Sequence, residues 1–121
     1  MKKTILFPLF LLCGMMCAFA QNYMQITTIE SIIPGGLGRS RMVVTDVNGK
    51  QTETELKNFY SMVGINLENI KSNDSGILKT LNEYAKEGWR VTQVTAGTQS
   101  PSEQFPQGIF ITRYLMEKLD K

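Results

Sequence analysis

Asn48-Gly49 stands between residues 41–47 and 50–56, two runs rich in Val and Thr with no Pro or Gly inside them. Asn and Gly suit both central positions of a type I′ turn, whose twist matches that of the strands it joins. The two runs therefore read as a β-hairpin. A two-residue turn pairs Val47 with Lys50, Thr45 with Thr52 and Val43 with Thr54. That register places Val43, Thr45, Val47, Thr54 and Leu56 on the face expected inside, and Asp46, Gln51, Glu53 and Glu55 on the wetter one.

The rest of the chain supplies partners for this hairpin. Residues 23–30 are rich in Thr, Ile and Tyr and read as a first strand. Pro34-Gly35-Gly36-Leu37-Gly38 then forces a turn. Residues 58–70 carry seven large apolar side chains with no clean period, and Gly64 interrupts any helix, so an irregular, partly helical connection is expected. Asp74 or Ser75 can cap a helix reaching about Glu87, with Ile77, Leu78, Leu81 and Ala85 on one side. Gly88 is the expected left-handed stop, and Trp89 opens a strand through about Ala96. Residues 97–108 read as a long polar loop, residues 109–115 as the last strand and residues 117–121 as a charged tail.

The first twenty residues have another character. Lys2 and Lys3 precede an apolar stretch, and Ala18-Phe19-Ala20 offers the small residues a signal peptidase needs, so residues 1–20 read as a cleavable signal peptide cut after Ala20. The stretch is short for a bilayer of roughly 30 Å and contains Pro8, which disfavours a permanent anchor. Residues 21–121 are then a single small domain, exported to the periplasm or beyond the cell, with no membrane span after processing.

Processing also changes the chemistry on offer. The chain has 13 basic and 11 acidic residues, and the leader holds Lys2 and Lys3 but no acid, so the remainder is neutral. A neutral domain has no broad attraction for nucleic acid or an anionic membrane. Both cysteines, Cys13 and Cys17, lie in the leader, and the sequence has no histidine. Thiol catalysis, a Ser/His/Asp triad, a disulfide and a Cys/His metal site are excluded from the remainder, and no cofactor, metal or catalytic residue is assigned.

The run Leu81-Asn82-Glu83-Tyr84-Ala85-Lys86-Glu87-Gly88-Trp89-Arg90-Val91-Thr92-Gln93-Val94, followed at a distance by Ile109-Phe110-Ile111-Thr112-Arg113-Tyr114, resembles a small bacterial domain of unknown function, DUF4177-like. In that family a helix ends in Glu-Gly-Trp, runs straight into a strand, and an aromatic strand closes an antiparallel sheet. The resemblance covers about half of residues 21–121 and implies a fold, not an activity. The physical reading agrees: glycine ends the helix where a side chain would clash, and the indole covers the junction of helix and sheet. The whole is an α+β domain: an antiparallel sheet of about five strands with one principal helix on one face.

Three groups of residues are candidates for contact. Gly36, Gly38, Arg39, Ser40 and Arg41 can form an anion site from consecutive backbone N–H groups, two guanidinium groups and a hydroxyl. The loop lacks the Gly-Lys-Ser/Thr ending of a nucleotide loop and leads into a strand, so an ordinary glycine-rich connection is the competing reading. Phe59, Tyr60 and Met62 form a partner patch if their segment does not fold under the helix. Asp46, Glu53 and Glu55 offer carboxylates for acid/base work or calcium, against the plainer account of a solvated sheet face.

The leading expectation is a non-enzymatic interaction or ligand-binding module, working through residues 35–41 and 97–108 on an envelope protein or a small anionic ligand. The alternatives are a carboxylate- or arginine-dependent enzyme on a periplasmic sugar or phosphoester, and a structural subunit, homo-oligomeric, that assembles through sheet edges.

Overall fold

The structure is a computed structural model describing residues 21–33, 39–104 and 108–119. Residues 1–20, expected to be a leader, and the glycines Gly36 and Gly38 fall outside the described residues. Strands β1 (Gln21–Ser31), β2 (Arg41–Thr45), β3 (Gln51–Glu55), β6 (Arg90–Gln99) and β7 (Ile109–Leu119) form one antiparallel sheet in the order β3-β2-β1-β7-β6. A second, two-stranded sheet joins β4 (Tyr60–Ser61) to β5 (Gly64–Ile65), and one helix, α1 (Leu67–Lys86), crosses the large sheet. The expected α+β architecture is the observed one.

Alternation along the central strands sets the core. Met24, Ile26 and Thr28 of β1, Met42 and Val44 of β2 and Met116 of β7 are buried beneath α1. Ile77 is buried against them, and Leu81, Tyr84, Trp89 and Tyr114 pack around the cluster. The opposite face carries Tyr23, Gln25, Thr27, Ile29, Val43, Ile111, Arg113 and Leu115, with no element of the described structure laid over it.

The hairpin forms, but in a register one residue away from the expected one. Thr45 pairs with Gln51, Val44 with Thr52 and Val43 with Glu53. Asn48 does not adopt positive φ, whereas Gly49 does at 78°, so a type I′ turn, which needs both, is ruled out. Gly49 N–H donates to Asp46 O at 3.0 Å, and Asp46 Oδ1 accepts from the Asn48 and Lys50 N–H groups at 2.8 and 2.9 Å. An aspartate that organises the turn from its first position favours a type I turn with a left-handed glycine after it. Because side chains alternate with period two, the shift exchanges faces. Met42 and Val44 are buried, while Val43 lies on the open face and Val47 at the exposed turn. Thr54 and Leu56 keep their expected face, Leu56 buried and Thr54 paired with Met42.

The helix begins a full two turns before the expected start. Asn66, not Asp74 or Ser75, is the N-cap, its side chain accepting from the Asn69 N–H at 3.1 Å. Residues 58–70 thus divide into a tight β4–β5 hairpin, with Gly64 at φ 123°, and the first turn of α1. At the other end Gly88 takes φ 93°. Gly88 N–H donates to Ala85 O and Trp89 N–H to Tyr84 O at 3.0 and 3.1 Å, the paired bonds of a Schellman motif. The indole of Trp89 packs on the core with Lys118 Nζ 5.8 Å above its ring. β7 runs to Leu119, so Glu117 and Lys118 belong to the sheet rather than to a tail. Glu117 is buried between Gln21 and Arg90, both of which donate to it.

Candidate functional site

Of the three described residues of the loop expected to hold an anion, Ser40 and Arg41 are engaged within the chain. Ser40 is buried; its Oγ accepts from the Ser31 N–H at 2.8 Å and donates to Asn58 Oδ1 at 2.6 Å. A hydroxyl so engaged is a joint between β1, β2 and the segment after β3, which corrects its placement among ligand-binding residues. Arg41 reaches across the open face to Glu53 at 3.1 Å, while Arg39 is exposed. That ion pair occupies Glu53, one of the three carboxylates offered for acid/base work; Asp46 is engaged in the turn.

The apolar segment behind β3 splits between core and surface. Phe59 stacks on Phe110 with ring centroids 5.3 Å apart, and its N–H donates to Ser31 O at 2.9 Å. Tyr60 is half-buried in β4. Met62 and Val63, at the hairpin tip, are 83 % and 97 % exposed. Phe59 therefore belongs to packing, and of the three residues expected to make a patch only Met62 is free to do so.

A buried polar joint ties these parts together. Asn73, on the core stripe of α1, accepts from the Lys57 N–H and donates to the Lys57 carbonyl and to Glu30 Oε1. Glu30 is itself buried at the end of β1. Burial pushes its carboxyl above the ordinary value, Asn73 partly offsets that by donating to it, and Asp74 adds to the rise. Tyr114 is raised as well, by burial first and then by Glu30 and Asp74. Among the described residues no buried side-chain polar atom lacks a partner and no cluster of three or more His, Cys, Asp or Glu side chains is placed to hold a metal ion.

The open ground lies at the opposite side of the sheet. β6 is exposed along all ten of its residues, and among the described residues no strand pairs with its outer edge, since it ends the strand order. Thr95 sits opposite Arg113, Gly97 opposite Ile111 and Gln99 opposite Ile109. Gly97 brings no side chain to the open face, and a Cβ placed there would meet no atom within 4 Å. A depression of about 320 Å³ results, lined by Ile109, Ile111 and Arg113 together with consecutive residues of β6. Arg113 is exposed and, among the described residues, makes no ion pair or hydrogen bond. A second cavity, about 390 Å³, separates α1 from β2 and β3. It brings Lys79 and Glu83 to one wall, so its charges balance.

The sequence contained the clue to the first depression: Thr95, Gly97 and Gln99 continue the alternation of β6 beyond Ala96, where the expected strand stopped. Comparisons with protein families, curated proteins and solved structures gave no match. They carry no information on the DUF4177-like resemblance or on activity.

Proposed function

We propose that the protein is an exported, non-enzymatic interaction module that meets its partner through the β6 edge and the adjoining bare face, in the periplasm or outside the cell. The contrast between the two edges of the sheet carries this reading. The β3 edge is short, five residues, and bears Glu53 and Glu55, the charged form in which an edge resists pairing. The β6 edge is ten residues long, and beyond Arg90, which donates to Glu117 at 2.8 Å, it is uncharged and free of proline. Edges of that kind add strands.

The same edge suits a structural subunit that assembles with copies of itself, and sedimentation at rising concentration separates the two. Hydrogen exchange tests the interaction reading directly. The full chain, recovered after its own processing, is mixed with envelope extract of the producing cells. Slowed exchange is expected in Arg90–Gln99; slowing confined to other elements, or none at all, counts against the reading.

A further inference from the structure

We propose that the β6 edge takes an extended acidic peptide from another protein as an added strand, seating a carboxylate side chain over Gly97 against Arg113. The inference rests on the interaction reading and names the chemistry of its partner.

Three observations converge on it. The depression is lined by Thr95, Ala96, Gly97, Thr98 and Gln99 in succession. Side chains alternate across a strand, so Ala96 and Thr98 line the depression through their main chain, and β6 is the last strand of the sheet. A guest at that edge meets main-chain groups that no described strand pairs, with the depression beside them. Its floor, Ile109 and Ile111, is apolar, and its one cation among the described residues is Arg113, for which no described group is a hydrogen-bond or ion-pair partner. A guanidinium that no described group engages is a ready partner for a carboxylate, since charge-assisted bonds of this kind are about twice as strong as neutral ones.

A second copy of the chain is a poorer occupant. Pairing β6 with another β6 brings no carboxylate, because its ten residues contain no Asp or Glu. Arg113 would stay unpaired on both sides of the joint. An acidic strand supplies the main-chain ladder and the missing charge at once.

The test uses two capped heptapeptides of alternating threonine and valine, one with a central glutamate and its twin with glutamine there. Each is titrated into the full, processed chain while backbone amide resonances are followed. The glutamate peptide should move amides of residues 94–99 and bind about tenfold more tightly than its twin. Arg113→Gln should abolish the difference. Gly97→Val should leave the melting temperature near that of the parent, since no atom lies within 4 Å of the new Cβ, yet weaken both peptides by filling the depression.

Equal binding of the twins, or discrimination that survives Arg113→Gln, overturns the acidic preference while leaving strand addition and the interaction reading standing. Peptides that move no β6 amide overturn strand addition itself, and the exchange experiment on envelope extract then decides the broader reading separately. Movement of the same amides with protein concentration alone assigns the edge to a second copy and overturns the peptide proposal.

Discussion

Asn73 holds both main-chain polar groups of Lys57: its Oδ1 accepts from the Lys57 N–H at 2.8 Å, and its Nδ2 donates to the Lys57 carbonyl at 2.7 Å. The same Nδ2 donates to Glu30 Oε1 at 2.9 Å, so one side chain fastens the helix to the end of β1 and to the segment after β3. An asparagine on the apolar stripe of a helix is otherwise a poor choice, since it takes the place of a core side chain. Here its polar atoms all have partners.

Replacing Asn73 by Ala is expected to cost about 2–3 kcal/mol, because Glu30 and two main-chain groups lose their partner at once. Asn73→Asp should cost more at neutral pH, since a carboxylate cannot donate to Glu30 or to the Lys57 carbonyl and adds a like charge. Urea unfolding of both variants measures the difference, and an Asp variant as stable as the parent contradicts the arrangement.

Glu30 gives the domain a pH dependence of definite sign. Its carboxyl titrates above the ordinary 4.5 in the folded chain because burial disfavours the charged form. The folded state therefore holds this proton more tightly than the unfolded state does. The stability it contributes is fully present below the ordinary carboxylate value and is lost as pH rises through the folded value. Glu30→Gln keeps an acceptor for Asn73 and removes the titration. The variant should match the parent in acid and exceed it in melting temperature at neutral pH; parallel curves across that range would show that Glu30 is not the group responsible.

Gly49 supplies the left-handed residue that the Asp46 turn of the hairpin needs. Its φ of 78° places it in the left-handed region with open space around it, so the cost of a side chain there is conformational and not steric against neighbours. Gly49→Ala should destabilise by about 1 kcal/mol, and Gly49→Asn by less, because Asn tolerates that region better. Thermal unfolding of the two variants checks the order.

Asn66 should show the ordinary signature of a helix cap. Its side chain accepts from the Asn69 N–H at 3.1 Å while its own N–H donates to Phe59 O at 2.8 Å. Asn66→Ala keeps the second bond and loses the first, for an expected loss of about 1 kcal/mol. Asp74→Ala and Ser75→Ala lie inside α1 and should cost less than Asn66→Ala in the same assay.

Sequence alone determined what depends on local chemistry. The strands at residues 23–30 and 109–115, the glycine stop at Gly88 and the strand that follows Trp89 are legible because alternation and left-handed glycine act within a few residues. So is the α+β class. Tertiary structure decided the rest, for physical reasons that propensity does not contain. Asp74 and Asn66 are both good cap residues; Asn66 prevails because its N–H is held by Phe59 O and because starting there lets Asn73 meet Lys57 and Glu30. The hairpin register turned on whether Asp46 or Asn48-Gly49 organised the turn, and the buried pair Met42 and Val44 goes with Asp46. Ser40 looked like a loop hydroxyl facing solvent, but the approach of Ser31 and Asn58, nine and eighteen residues away, draws it inside. Arg113 lies in the sequence as one polar residue of the last strand. Its position beside the gap at Gly97 exists only once β6 and β7 lie together, since a depression is a relation between strands and no single segment carries it.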